Sequence, residues 1–123
     1  AFRAITDHPM AGRLIRCPER YPEYPFFCKI GTYLVRGKID LLVKDGEGYY
    51  VLDFKSGKRP ADNATIDTYR YQLALYCEAV RVLFKTEAVR GLAVFSASGD
   101  VLESASQNEL FDGMRSLKSR EIM

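Results

Sequence analysis

At 123 residues and 47% apolar content, the chain has material for one domain with a real core and too little for two. A formal charge of +2 permits a polyanionic partner without arguing for one, because domains built for non-specific nucleic-acid binding carry a larger basic excess. Cys17, Cys28 and Cys77 are odd in number, widely spaced and free of any CxxC pair, which excludes a regular disulfide framework and points to a reduced, intracellular protein. No stretch approaches the ~18 consecutive apolar residues that span a membrane. The chain begins at Ala1, so residues 1–123 are expected to be a single domain belonging to a longer polypeptide.

In chain order, Ala4, Ile5, Ala11, Leu14 and Ile15 suggest a short helix interrupted by Pro9 and ended before Pro18. The proline-punctuated run YPEYPFF leads into a strand at Phe26–Ile30. Gly31-Thr32 turns it into a longer strand, Tyr33–Val43. The segment DGEG at 45–48 signals a turn into a third strand, Tyr49–Ser56, and GKRPADNAT is a loop rich in breakers and cap formers. From Asp67, a plausible N-cap, to Lys85, Tyr69, Leu73, Tyr76, Val80 and Leu83 recur at helical spacing. Two strands follow at 89–97 and 101–105. A final helix from Asn108 carries Leu110, Phe111, Met114 and Leu117 on one side, with Arg115, Lys118 and Arg120 on its polar part. The order (α)βββαββα makes an α/β fold with a mixed, mainly antiparallel sheet flanked by helices.

The hairpin between Gly37 and Gly57 carries the chemistry. Strict alternation puts Tyr33, Val35, Gly37, Ile39, Leu41 and Val43 on one face of the second strand, and Leu34, Arg36, Lys38, Asp40 and Leu42 on the other. On the third strand Tyr50, Leu52 and Phe54 share one face; Tyr49, Val51, Asp53 and Lys55 share the opposite one. A symmetric loop at 45–48 sets Asp40 directly across from Asp53, with Cβ atoms roughly 4.5–5.5 Å apart. Two carboxylates that close repel unless a cation lies between them. A hard divalent ion resolves the conflict, with Mg²⁺ the usual choice when a phosphate shares the site. Lys55, two residues along the same face, can orient or deprotonate a water, which completes the parts needed to attack a phosphodiester. The competing reading is a solvated hairpin face with an inconsequential surface pair. Against it stand the large apolar residues flanking Asp53 and Lys55, which imply a covered strand where unpaired acids are costly.

Taken in order, GKIDLLV, YYVLDFKSGK and YRYQLALYCEAV resemble the RecB-like branch of the PD-(D/E)XK nuclease superfamily, which includes the nuclease domains of RecB and AddA helicase–nucleases. The similarity runs from about Glu23 to Ala79. It implies a restriction-endonuclease-like core, metal ligation by Asp40 and Asp53 with Mg²⁺ or Mn²⁺, and Lys55 as the catalytic lysine. Gln72 and Tyr76 match the Q-L-x-x-Y motif of that branch, placed beside the active site or against DNA. Core packing competes for Tyr76, which also falls on the apolar stripe, and plain exposure competes for Gln72. PEYPF resembles the approach to the first strand in AddA-type domains and makes Glu23 a candidate near the metal.

Two features depart from the pattern. The branch often supplies a metal-binding His from an upstream helix, whereas the only histidine here is His8, beside Pro9; an incidental surface residue is the favoured reading. Three scattered cysteines do not match the four-thiolate iron–sulfur cluster of some relatives, so Cys28 and Cys77 read as buried core residues. Lys58, Arg59 and Arg70 are candidates to hold a phosphate backbone, with a solvated loop the equal alternative. Together these imply a metal-dependent deoxyribonuclease of recombination or repair. Exonucleolytic attack is favoured over endonucleolytic, DNA and a helicase module are the partners, and the location is cytoplasmic at the nucleoid. The alternative is a catalytically silent nuclease-like scaffold that binds DNA or protein.

Overall fold

The computed structural model describes residues 9–122, with side chains from 12 to 115. Among them the elements run α1 (Pro9–Ile15), β1 (Arg20–Ile30), β2 (Tyr33–Asp45), β3 (Gly48–Lys55), α2 (Asn63–Phe84), β4 (Val89–Phe95), β5 (Val101–Glu103) and α3 (Gln107–Ile122). One five-stranded sheet has the order β1-β2-β3-β4-β5, and only the β3–β4 pair, joined through the crossover helix α2, is parallel. The expected order and mainly antiparallel sheet are therefore present. Ala4, Ile5 and His8 lie outside the described residues.

β1 begins six residues earlier than expected and absorbs the prolines of YPEYPFF. It is an edge strand, where a missing N–H leaves no ladder partner wanting, so Pro22 and Pro25 are tolerated opposite Leu41 and Lys38. The β2–β3 turn needs only Gly46 and Glu47 as loop residues, with Asp45 paired to Gly48 and Gly46 in the left-handed region at φ 65°. The register is nevertheless the symmetric one expected, with Leu41 opposite Leu52 and Val43 opposite Tyr50. Arg13 pairs with Asp45 and so ties α1 to this turn.

Strict alternation fails at one place in β2. Ile39 packs with Leu73, Cys77 and Val80 of α2, whereas Leu41, only two residues on, packs with Leu14 of α1. The strand thus rolls over at Asp40, and Leu42 takes the α2 side in its turn. On β1 the position facing Asp40 is Glu23, the one unpaired residue between Pro22 and Tyr24, held at φ 50°. β2 also parts from β3 here, since the pairing with β3 ends at Leu41–Leu52 while that with β1 continues to Tyr33. Beyond Asp40 the β1–β2 hairpin extends alone.

α2 starts at Asn63, a turn before the expected N-cap Asp67. Asp62 is the cap: its carboxylate accepts from Thr65 N at 2.8 Å, and the short polar stretch before the apolar stripe is helical as well. Ile66, Tyr69, Leu73, Tyr76, Cys77 and Val80 pack onto the sheet, while Leu83 is exposed and Phe84 takes the last contact by stacking on Tyr49. α3 starts at Gln107 behind a capping box: Ser106 Oγ accepts from Glu109 N, and Glu109 Oε1 accepts from Ser106 N, both at 3.1 Å. Leu110 is buried, and Phe111 and Met114 pack beside the α2 core. Leu117, Lys118 and Arg120 lie outside the described side chains. As expected, Cys28 and Cys77 are buried, and burial pushes the Cys77 thiol up to about 12.

Gly91 brings β4 close under α2: a Cβ built there meets Cys77 Sγ at 2.7 Å and Ser104 Cβ at 3.2 Å. Gly91→Ala is expected to destabilise the protein by roughly 1–3 kcal/mol in urea unfolding, through overpacking. Combining it with Cys77→Ala should recover part of that loss; strictly additive effects would contradict the contact.

Candidate active site

The splaying of β2 from β3 leaves Phe54 N without a ladder partner on its β2 side. Asp40 fills the gap, its Oδ2 accepting from Phe54 N at 2.8 Å. A backbone donor of β3 therefore fixes the Asp40 carboxylate beside the next strand. Asp53, the residue before Phe54, presents its side chain to the α2 face with Val51 and Lys55, as alternation on β3 predicts. The two carboxyls meet there. Burial and the neighbouring Asp40 carboxyl hold the Asp53 acid above its ordinary value of 3.8, against the lowering pull of Lys55.

Lys55 Nζ donates to Asp53 Oδ2 at 2.9 Å, and the two side chains are only 22% and 15% exposed. Its ammonium also lies 4.3 Å from the ring centroid of Tyr69, on the second turn of α2. Sequence reasoning put Tyr69 on the apolar stripe and gave it no part here; the cation–π contact joins helix to site. Of the three N–H donors on Lys55, Asp53 takes one and the ring face attracts the group as a whole, which leaves a donor free for a water or phosphate oxygen.

Gln72 and Tyr76 follow Tyr69 along the same side of α2. Gln72 is exposed and its Nε2 donates weakly to Tyr76 Oη at 3.4 Å, while the Tyr76 ring packs edge-on against Phe26 with centroids 5.2 Å apart. Tyr76 is therefore part of the packing, with its hydroxyl turned toward Gln72. Glu23 does not join the acidic pair: its side chain is 78% exposed and its nearest charge is Lys38, 3.8 Å away. The left-handed backbone at Glu23 turns the carboxylate outward although its register position faces Asp40.

Lys58 and Arg59 are exposed on the loop after β3. Arg70 bonds Glu109 of the α3 capping box at 3.2 Å, and its carbonyl accepts from Ala105 N. Of the three expected phosphate contacts, Arg59 and Arg70 line one cavity, and Lys58 is not among its lining residues.

Among the described residues no group of three or more His, Cys, Asp or Glu side chains gathers at one point. Two converging carboxylates nonetheless fit a hard cation of the Mg²⁺ type, which takes one or two protein carboxylates and completes its shell with water and substrate oxygens. The donor set is all oxygen and the mutual repulsion of the pair is what such an ion relieves.

Residues 8–116 match the model of the PD-(D/E)XK nuclease superfamily, and the chain belongs to that superfamily, with the restriction-endonuclease-like arrangement expected of it. Its relatives include an ATP-dependent helicase/nuclease subunit of Pelotomaculum thermopropionicum, 42% identical over 84 residues and covering 64% of this chain. The corresponding helicase/nuclease protein of Carboxydothermus hydrogenoformans is 33% identical over 91 residues, 62% of this chain. These matches span only 6% and 8% of those relatives' lengths. Among solved structures, protein VC1899 from Vibrio cholerae aligns over 93% of this chain and 25% of its own, at 16% identity and a TM-score of 0.42. SSO0001 aligns over 74% of this chain and 46% of its own, at 15% identity and a TM-score of 0.44.

Because the folded state raises the Asp53 pKa, the protonated acid is favoured by folding. Its contribution is present below pH 3.8 and is lost as pH rises through the raised value. Over that window the metal-free protein is expected to lose stability relative to Asp53→Asn, read as diverging melting temperatures. Near neutral pH, Mg²⁺ or Mn²⁺ at about 100 times Kd should restore about 2.7 kcal/mol to the native protein and little to Asp53→Asn. Equal stabilisation of both proteins would contradict a site at this pair.

Proposed function

We propose that the chain is the nuclease domain of a longer helicase–nuclease of recombination or repair, hydrolysing DNA phosphodiesters with Mg²⁺ or Mn²⁺. The single observation that carries this reading is the meeting of the Asp40 and Asp53 carboxyls with the Lys55 ammonium on the second acid. Asp40 and Asp53 are the residues to hold the metal, which when bound would supply Lewis-acid polarisation of the phosphate and a more acidic water.

The protein's own groups do the positioning. Lys55, held by Asp53 and the Tyr69 ring, directs its free donor to the attacking water or to a non-bridging phosphate oxygen, where negative charge develops. The water gives up a proton to solvent as its oxygen bonds phosphorus, the ester P–O bond breaks, and the leaving oxygen takes up a proton from solvent. Gln72, exposed one turn beyond Tyr69, is read as a substrate contact steadied by Tyr76. Lys58 and Arg59 are read as phosphate contacts on the loop leaving β3; Arg70 serves chiefly to dock α3.

Family membership supports the class of reaction, and the helicase/nuclease relatives support a helicase module as the partner. On this reading the attack is exonucleolytic and the place is cytoplasmic, at the nucleoid. No helix among the described residues is long and apolar enough to cross a membrane.

Linear single- and double-stranded DNA should be degraded in Mg²⁺ or Mn²⁺ and left intact in EDTA. Lys55→Ala and Asp53→Asn are each expected to reduce the rate by about 10²–10⁴-fold. Cutting that survives Lys55→Ala removes the mechanism, and binding without cutting in either metal returns the scaffold reading.

A further inference from the structure

Beyond Asp40 the β1–β2 hairpin is covered on one face only. Phe26, Cys28, Ile30, Val35 and Ile39 pack beneath α2. The other face alternates Pro25, Phe27 and Lys29 on β1 with Leu34, Arg36 and Lys38 on β2, in the direct pairs Pro25–Lys38, Phe27–Arg36 and Lys29–Leu34. Phe27 is 56% exposed and Leu34 70% exposed, on a strand pair that could have carried polar residues there. Arg36, Lys38 and Lys29 share this face with the ring, and Glu23 stands at the rim 3.8 Å from Lys38. The Arg36 guanidinium lies over the Phe27 ring at 5.3 Å.

We infer that this outer face is a platform for an unpaired nucleic-acid strand, with Phe27 stacking a base and Arg36, Lys38 and Lys29 meeting its phosphates. The inference rests on the nuclease reading for its substrate and adds to it a preference for single strands. An exposed ring contributes to binding only when a base face is free, so the same surface offers a duplex nothing beyond charge. The charge is complementary to a polyanion and poorly suited to a basic or neutral apolar partner. Lys38 is two residues from Asp40 along β2, while Asp53 and Lys55 lie on the α2 face, across the sheet from this platform.

The test is fluorescence anisotropy in EDTA, so that cutting plays no part, using labelled oligothymidylate of about 15 nucleotides and a matched duplex. Phe27→Ala and Phe27→Leu are expected to weaken single-strand binding about tenfold and to leave duplex binding unchanged, with Phe27→Trp restoring the native affinity. Arg36→Ala should lower the salt-dependence slope by about one for both ligands. Unchanged oligothymidylate affinity in Phe27→Ala overturns the proposal, as does Phe27→Leu binding as well as Phe27→Trp. A dimer seen in sedimentation that Phe27→Ala disperses, with oligothymidylate affinity unchanged, overturns it in favour of self-association. Binding here and Lys55-dependent cutting are read separately, so either can fail alone.

Discussion

The acceptance of Phe54 N–H by the Asp40 carboxylate is the contact on which the site depends. Strands that part company leave donors behind, and a donor partly buried in a sheet has to be matched. Here the match is made by a side-chain carboxyl oxygen in place of a carbonyl of the neighbouring strand. The same contact therefore ends one ladder, anchors an acid and fixes it next to Asp53. The geometry of the candidate site and the satisfaction of the backbone are one arrangement in this fold.

The other half of the site is built from the helix side. Val51, Leu42 and Ala93 make a dry floor beneath α2, and Asp53 and Lys55 emerge from that floor at the end of β3. Burial first, and then the neighbouring Asp40 carboxyl, raise the proton affinity of Asp53 against the lowering pull of the one ammonium. Tyr69 offsets part of the difficulty by giving the lysine a face to rest on. Such local imbalance is typical of sites that await a charged ligand. The helix crossover that makes β3 and β4 parallel also delivers Tyr69, so fold topology and site electrostatics share an element.

Much of this was legible in the residues. Turn signals at 31–32 and 45–48 set the hairpin registers, and the symmetric pairing of Leu41 with Leu52 follows directly. Other features lay beyond a pattern of alternating residues. The rollover at Asp40 depends on β2 following β1 rather than β3, a tertiary choice that period-two reasoning cannot see, and it moved Leu41 and Val43 to the α1 side. The early start of α2 was hidden because Asn63 and Thr65 resemble loop residues until Asp62 is seen as the cap. Glu23 was misled by its neighbours: the register puts it opposite Asp40, and one left-handed residue turns it away. Arg70 was chosen by its place in the chain, whereas its partner Glu109 is 39 residues distant.

The two borders of the sheet close it to growth. β1 lacks backbone donors at Pro22 and Pro25 and is bent at Glu23 between them, so a foreign strand finds an interrupted row of partners. At the opposite border β5 is three residues long, too short to template an extension. A sheet bounded in this way resists fibre-like stacking even with aromatic side chains in the open. That protection lets the chain keep Tyr21 and Phe27 at its surface without turning them into nuclei of aggregation.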